Sequence, residues 1–176
     1  MRRIFALNLF LLTSALVANV CAQDGPPMPY IDKGACPFEC CTYRQWTVEK
    51  PTAILSAMKP NAPVAFRVRK GERVRGMTGV VITERAGIAE ALKNTTQSSV
   101  PIGRGDRIFL LTNLGEGFVQ AWFKKRLFQA EPYDTSTFKV LRDAKSVWWV
   151  KIKNSKGRIG WSREPEHFGH IDQCGG

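Results

Sequence analysis

After its first 35 residues this chain carries mostly β signals, and in one stretch apolar and polar residues alternate cleanly. In "VAFRVRKGERVRGM", Val64, Phe66 and Val68 face one way and Ala65, Arg67 and Arg69 the other. "KGE" supplies a turn, so the stretch predicts a β-hairpin. "GVVIT" predicts a short strand after it. "GDRIFLLTNLGEGFVQAWFKKRLFQ" predicts strands at Arg107–Leu111 and Phe118–Lys124 around a glycine-rich turn, with "KKR" a charged turn before Leu127 and Phe128. "VWWVKIKNSKGRIGWS" predicts a last hairpin turning at Asn154–Gly157. Short strands with turns at intervals of about 8–12 residues predict an all-β chain, a small antiparallel barrel or sandwich.

Two stretches depart from period two. "RAGIAEALKNTTQSSVPIG" reads as one or two helical turns followed by a polar loop. "QAEPYDTSTFK" reads as a polar linker before the last hairpin. No segment repeats verbatim, yet "KGERVRGMTG" and "RGDRIFLLTN" both set a basic residue, a glycine and an acid ahead of a strand.

The first residues change the picture of where the chain works. Arg2 and Arg3 precede an apolar run from Ile4 to about Val20 that ends in "VCA". This is the layout of a secretory signal peptide over residues 1–22, cleaved after Ala22. The run is short for a bilayer span, and no later segment is long and apolar enough for one. Val20 also stands where a lipoprotein signal needs a small residue. Residues 23–35, "QDGPPMPYIDKGA", read as a flexible tether. Removing residues 1–22 lowers the formal net charge from +11 to +9.

The remaining cysteines are Cys36, Cys40, Cys41 and Cys174, and an even count in an exported chain predicts disulfides. Adjacent cysteines in extended backbone point apart, which disfavours Cys40–Cys41. In either other pairing, Cys36 closes a short loop and Cys174 joins Cys40 or Cys41, tying the start of the fold to its end. Such a long loop contributes at most about 4–5 kcal/mol.

"PNAPVAFRVRKGERVRGM" and "WWVKIKNSKGRIGWS" resemble bacterial SH3-like domains. The resemblance is carried by Pro63, Val64, Val68, Gly71, Val74, Trp149, Lys151, Gly157, Gly160 and Trp161. It implies SH3-like barrels and a non-catalytic, exported binding module without a cofactor. The region from about Ala86 to Ser146 exceeds one such domain. The chain is therefore either one barrel with a β-rich insertion or two related β units, at residues 36–85 and 86–176, sharing one core.

On the last hairpin, alternation places Trp148 with Val150 and Ile152 in the core, and Trp149 with Lys151 and Lys153 on a basic outer face. Trp149 is therefore the candidate aromatic contact, while Trp148 and Trp161 build the barrel. Arg67 and Arg69 share one strand face, and Arg73 and Arg75 share the next. If the "KGE" turn pairs these strands, four like charges crowd one patch. That patch is either a solvated face partly offset by Glu72 and Glu84 or a site for an anionic partner, the cell wall or another envelope polymer of a bacterial periplasm or exterior. The alternative is a periplasmic assembly factor whose aromatic groove takes an extended peptide of an envelope protein. Nucleic acid fits the charge but not export.

Other chemistry finds less support. "CPFECC" with His167, His170 and Cys174 has zinc ligands at no common structural spacing, so no metal is expected. Paired cysteines leave no thiolate nucleophile, and Glu164, Glu166 and His167 lack the marks of an acid/base pair, so no enzyme is expected. Arg104-Gly105-Asp106 reads as an ordinary turn.

Overall fold

The computed structural model describes residues 25–173, so residues 1–22, read from the sequence as a signal peptide, and Cys174 lie outside them. The fold is all-β and barrel-like. Its first eight strands are β1 (Tyr30–Lys33), β2 (Gln45–Val48), β3 (Thr52–Leu55), β4 (Val64–Val68), β5 (Arg73–Arg85), β6 (Gly87–Ala91), β7 (Thr95–Gln97) and β8 (Val100–Ile102). Then come β9 (Arg107–Gly115), β10 (Phe118–Phe123), β11 (Arg126–Ala130), β12 (Phe138–Arg142), β13 (Lys145–Asn154), β14 (Ile159–Ser162) and β15 (Phe168–Gly169). A 3₁₀ turn, Pro165–His167, precedes β15.

The first sheet runs β15-β2-β5-β13-β14-β3-β4, with β1 also on β5, and the second runs β11-β10-β9-β6-β12. β7 and β8 form a separate hairpin. One strand order underlies both sheets. In the first, β15-β2-β5-β13-β14 carries the β3–β4 hairpin between its β2 and β5. In the second, β12-β6-β9-β10-β11 carries the β7–β8 hairpin between its β6 and β9. All of β6 to β12 is interposed between β5 and β13, so one unit is nested inside the other. The Trp-rich hairpin β13–β14 accordingly belongs to the first sheet, although it follows residue 86.

Each unit has its own core. Trp46, Val48, Ile54, Phe66, Val68, Val74, Val150, Ile152 and Phe168 fill the first. Ala89, Ile102, Ile108, Leu110, Val119, Phe123, Phe128 and Phe138 are among those filling the second. The expectation of one shared core gives way to two clusters, because each sheet curls over its own apolar face.

The chain leaves and rejoins the first unit at one place. Arg85 and Lys145 are register partners across β5 and β13. A Cβ on Gly87 would lie 2.7 Å from Ala144 N and 2.8 Å from Arg142 O, so the outgoing and returning backbones touch. Thr83 Oγ1 donates to Leu111 O at 3.0 Å and joins the two sheets.

Three expectations from the sequence are corrected. The turn after β4 is present, with Glu72 N donating to Arg69 O, but β4 pairs with β3 while β5 pairs with β2 and β13. "KGE" is thus a corner between non-adjacent strands rather than a hairpin. Residues 87–91 form a strand with burial alternating buried and half-buried, not a helical turn. Tertiary pairing with β9 and β12 overrides the helix preference of Ala and Glu there. Part of the supposed tether, Tyr30–Lys33, is β1, paired with Val80–Thr83.

Candidate functional site

Trp149 is 3% exposed and opposite the buried Val80. The neighbouring rung, Trp148 with Val81, also packs inward. Here β5 is flanked by β1 and β13 and buried on both faces, so alternation no longer sorts core from surface. Trp149 therefore cannot serve as the exposed platform read from the hairpin. Trp161 is half-buried instead, with Lys151 Nζ 5.6 Å from its ring centroid.

Arg67, Arg69, Arg73 and Arg75 are all exposed. Phe66 and Val68 are buried beside Arg67, as the alternation requires, whereas Val64 is 46% exposed at the start of β4. Arg67 lies opposite Ala53 on β3, so it does not face Arg73 or Arg75 across a ladder. The corner at Gly71, whose N donates to Val48 O, holds the two arginine pairs on its two sides.

The charge density is concentrated on β5 and its neighbours. Gln45, Arg75 and Lys153 form one rung across β2, β5 and β13, and Thr47 with Arg73 forms the next. Directly opposite residues project from the same face, so Arg75 and Lys153 stand side by side. Among the described residues, neither makes an ion pair, nor do Arg67, Arg69 or Arg73. Beside this rung, Arg44, Gln45, Thr47, Arg73 and His170 line a shallow depression. Tyr43, Arg44, Gln45 and Arg75 line a second. Arg44 is a site residue that the sequence reading did not single out, and Lys153, read there on the basic outer face of the last hairpin, proves to be the neighbour of Arg75. Arg44 sits in the cysteine-rich segment, where disulfide chemistry masked it.

The cysteine-rich segment fixes this face from below. Cys36 and Cys41 form a disulfide with Cα atoms 5.5 Å apart. Cys40 is disulfide-bonded as well. Cys41 bridges to Asp172, Gln173 N donates to Cys40 O at 2.9 Å, and the Arg44 guanidinium donates to the carbonyls of His170 and Asp172. The start and end of the described chain are therefore clasped together. His167 Nδ1 lies 2.9 Å from Thr52 Oγ1 and 3.5 Å from Glu164, within the fold's own contacts. Asp106 Oδ2 accepts from Gly103 N at 2.8 Å, which makes Arg104-Gly105-Asp106 a self-bonded turn.

Tyr43 is the tuned group of this region. Its hydroxyl donates to Ala35 O and accepts from Trp148 Nε1 at 3.3 Å. Burial, partly countered by the Trp148 bond, pushes its pKa up to about 12, with the charge of Asp32 adding to the rise. A phenol whose folded pKa is raised holds its proton where the unfolded chain has lost it. The stabilisation is complete below the ordinary value of 10.0 and is lost as pH rises from there through about 12. Urea unfolding between pH 9 and 12 is expected to show this loss, and Tyr43→Phe to flatten it. An unchanged slope in that variant would place the titration elsewhere.

No family model matches the chain, and neither a curated protein nor a solved structure matches it.

Proposed function

We propose that this chain is an exported, non-catalytic SH3-like binding module whose basic face holds an anionic polymer of the cell envelope, the cell wall foremost. One observation carries the reading: Arg75 and Lys153 stand opposite each other, flanked by Arg73, with no carboxylate among the described residues paired to any of them. Such an arrangement is destabilising in isolation and is relieved by bound negative charge. The strand order repeated in both units supports the SH3-like part, and the Cys36–Cys41 disulfide fits export. The earlier role for Trp149 is set aside, and Arg44, Lys151 and Lys153 join the contact surface.

Co-sedimentation of residues 23–176 with purified sacculi tests this. Pelleting is expected at low salt, weakening on the order of tenfold as added salt shortens the screening length to about 3 Å. Replacing Arg67, Arg69, Arg73 and Arg75 with Ser together is expected to abolish it, and Arg75→Ser with Lys153→Ser to remove most of it. Absence of pelleting at either salt overturns the polymer reading, and salt-insensitive capture of an envelope protein would favour the peptide-binding alternative.

A further inference from the structure

A second surface, sharing no residue with the arginine-bearing rungs, lies where the two units meet. A cleft of about 350 Å³ is lined by residues including Pro37, Asn113, Tyr133, Asp143, Ser146 and Trp148. Its walls come from both units. Asn113 belongs to β9, Tyr133 and Asp143 to the segments before and after β12, and Ser146 and Trp148 to β13. Pro37 sits inside the Cys36–Cys41 loop, and the adjacent Phe38 meets Trp148 edge-on at 5.6 Å. The disulfide thereby fixes one wall.

The chemistry of this cleft is opposite to that of the protein around it. The chain carries a formal charge of +11, yet among the described residues no lysine or arginine lines the cleft, and the one charged group there is the Asp143 carboxylate. The nearest cations in sequence are already engaged. Lys145 Nζ is 2.7 Å from Glu84, and the Arg142 guanidinium donates to Ala86 O at 3.0 Å. Among the described residues the Asp143 carboxylate makes no ion pair or hydrogen bond, and the Asn113 side-chain amide makes no hydrogen bond. Two aromatic side chains complete the set, Trp148 half-buried and Tyr133 49% exposed. The phenol of Tyr133 is held above its ordinary pKa by burial first and by the charge of Asp143 second, so ring and carboxylate act on the same space.

We propose that the cleft binds a small organic cation, an amine or guanidinium on an apolar frame. Asp143 would meet the charge, Trp148 and Tyr133 the cation and its frame through their ring faces, and Asn113 any neighbouring polar atom. A concave site at the junction of two units, where polar groups converge beside aromatic rings, is a common form of small-ligand site.

Benzylamine and benzyl alcohol are matched probes, nearly equal in shape and differing in charge. In ¹⁵N-resolved NMR at pH 7, benzylamine is expected to shift the Trp148 indole N–H and the Ser146 amide saturably, with a Kd on the order of millimolar for so small a ligand. Benzyl alcohol is expected to bind about tenfold more weakly. Asp143→Asn should erase that difference, and Tyr133→Ala should weaken both probes. Both positions are exposed, and the same spectra report whether the fold is kept. Equal binding of the two probes, an unaltered preference in Asp143→Asn, or no saturable shift would each overturn the proposal.

Discussion

Replacing Trp46 with alanine is expected to unfold the first sheet and its core while the second stays folded. Trp46 is 0% exposed and is the largest residue of its core. Its ring lies 5.9 Å from both Tyr43 and Phe168 by centroid, and its Nε1 donates to Thr42 O at 3.0 Å. Gly76 is its floor, since a Cβ there would come within 2.5 Å of the ring. Truncation removes these contacts at once and strands the Thr42 carbonyl. Losses of this kind cost about 3–5 kcal/mol, comparable with the whole stability of a small domain. Because the second cluster contains none of these residues, thermal unfolding followed by Trp122 fluorescence should keep its midpoint. A loss below about 1 kcal/mol would mean that the ring is not the keystone the packing describes. Gly76→Ala is the companion variant, pressing on the same ring from the other side.

The second large effect is a deletion that should be tolerated. Arg85 and Lys145 are already partners across β5 and β13, so Ala86–Ala144 can be replaced by Asn-Gly, the dipeptide suited to a two-residue hairpin. The shortened chain is expected to fold cooperatively with Trp46 buried. The excised residues 86–144 are expected to fold by themselves around Ile108, Leu110, Val119 and Phe138. What the short chain loses is the contact between units, including the Thr83 bond to Leu111 O, together with the junction cleft. Urea titrations of the two pieces check this. Failure of both to give a sigmoidal transition would show that the units depend on each other.

Strand positions were readable because one face of most strands is wet. Phe66, Val68, Arg67 and Arg69 sort as alternation says, and the turns at Lys124–Lys125 and Asn154–Gly157 carry left-handed residues where the sequence placed turns. Alternation stopped informing where both faces of β5 and β13 are covered, which is how Trp149 came to be assigned outward. The nested order left only a trace. The basic-Gly-acidic patterns before Val74 and Ile108 do head equivalent strands, β5 and β9, although the units otherwise share little sequence. Pairing partners were not legible, since a turn such as "KGE" specifies a reversal and not which strand lies alongside. The arginine-bearing surface was half visible for the same reason. Arg73 and Arg75 could be placed on one face, but their neighbours Gln45 and Lys153 come from strands far away in the chain. The junction cleft has no local signature at all, because its walls come from separate segments.

Nesting also sets an order in time. During synthesis β5 emerges before β6 to β12, and its long partner β13 appears only after all of them. Until then, one side of β5 is an open ladder, the kind of edge that recruits foreign strands. The inner barrel has its whole sequence available earlier and can close first. Once closed, it holds residues 85 and 145 as neighbours, so β13 arrives as though across a short turn and the entropy of closing a long loop has already been met. The nesting thus lets the inserted unit serve as a template for the sheet that surrounds it in sequence.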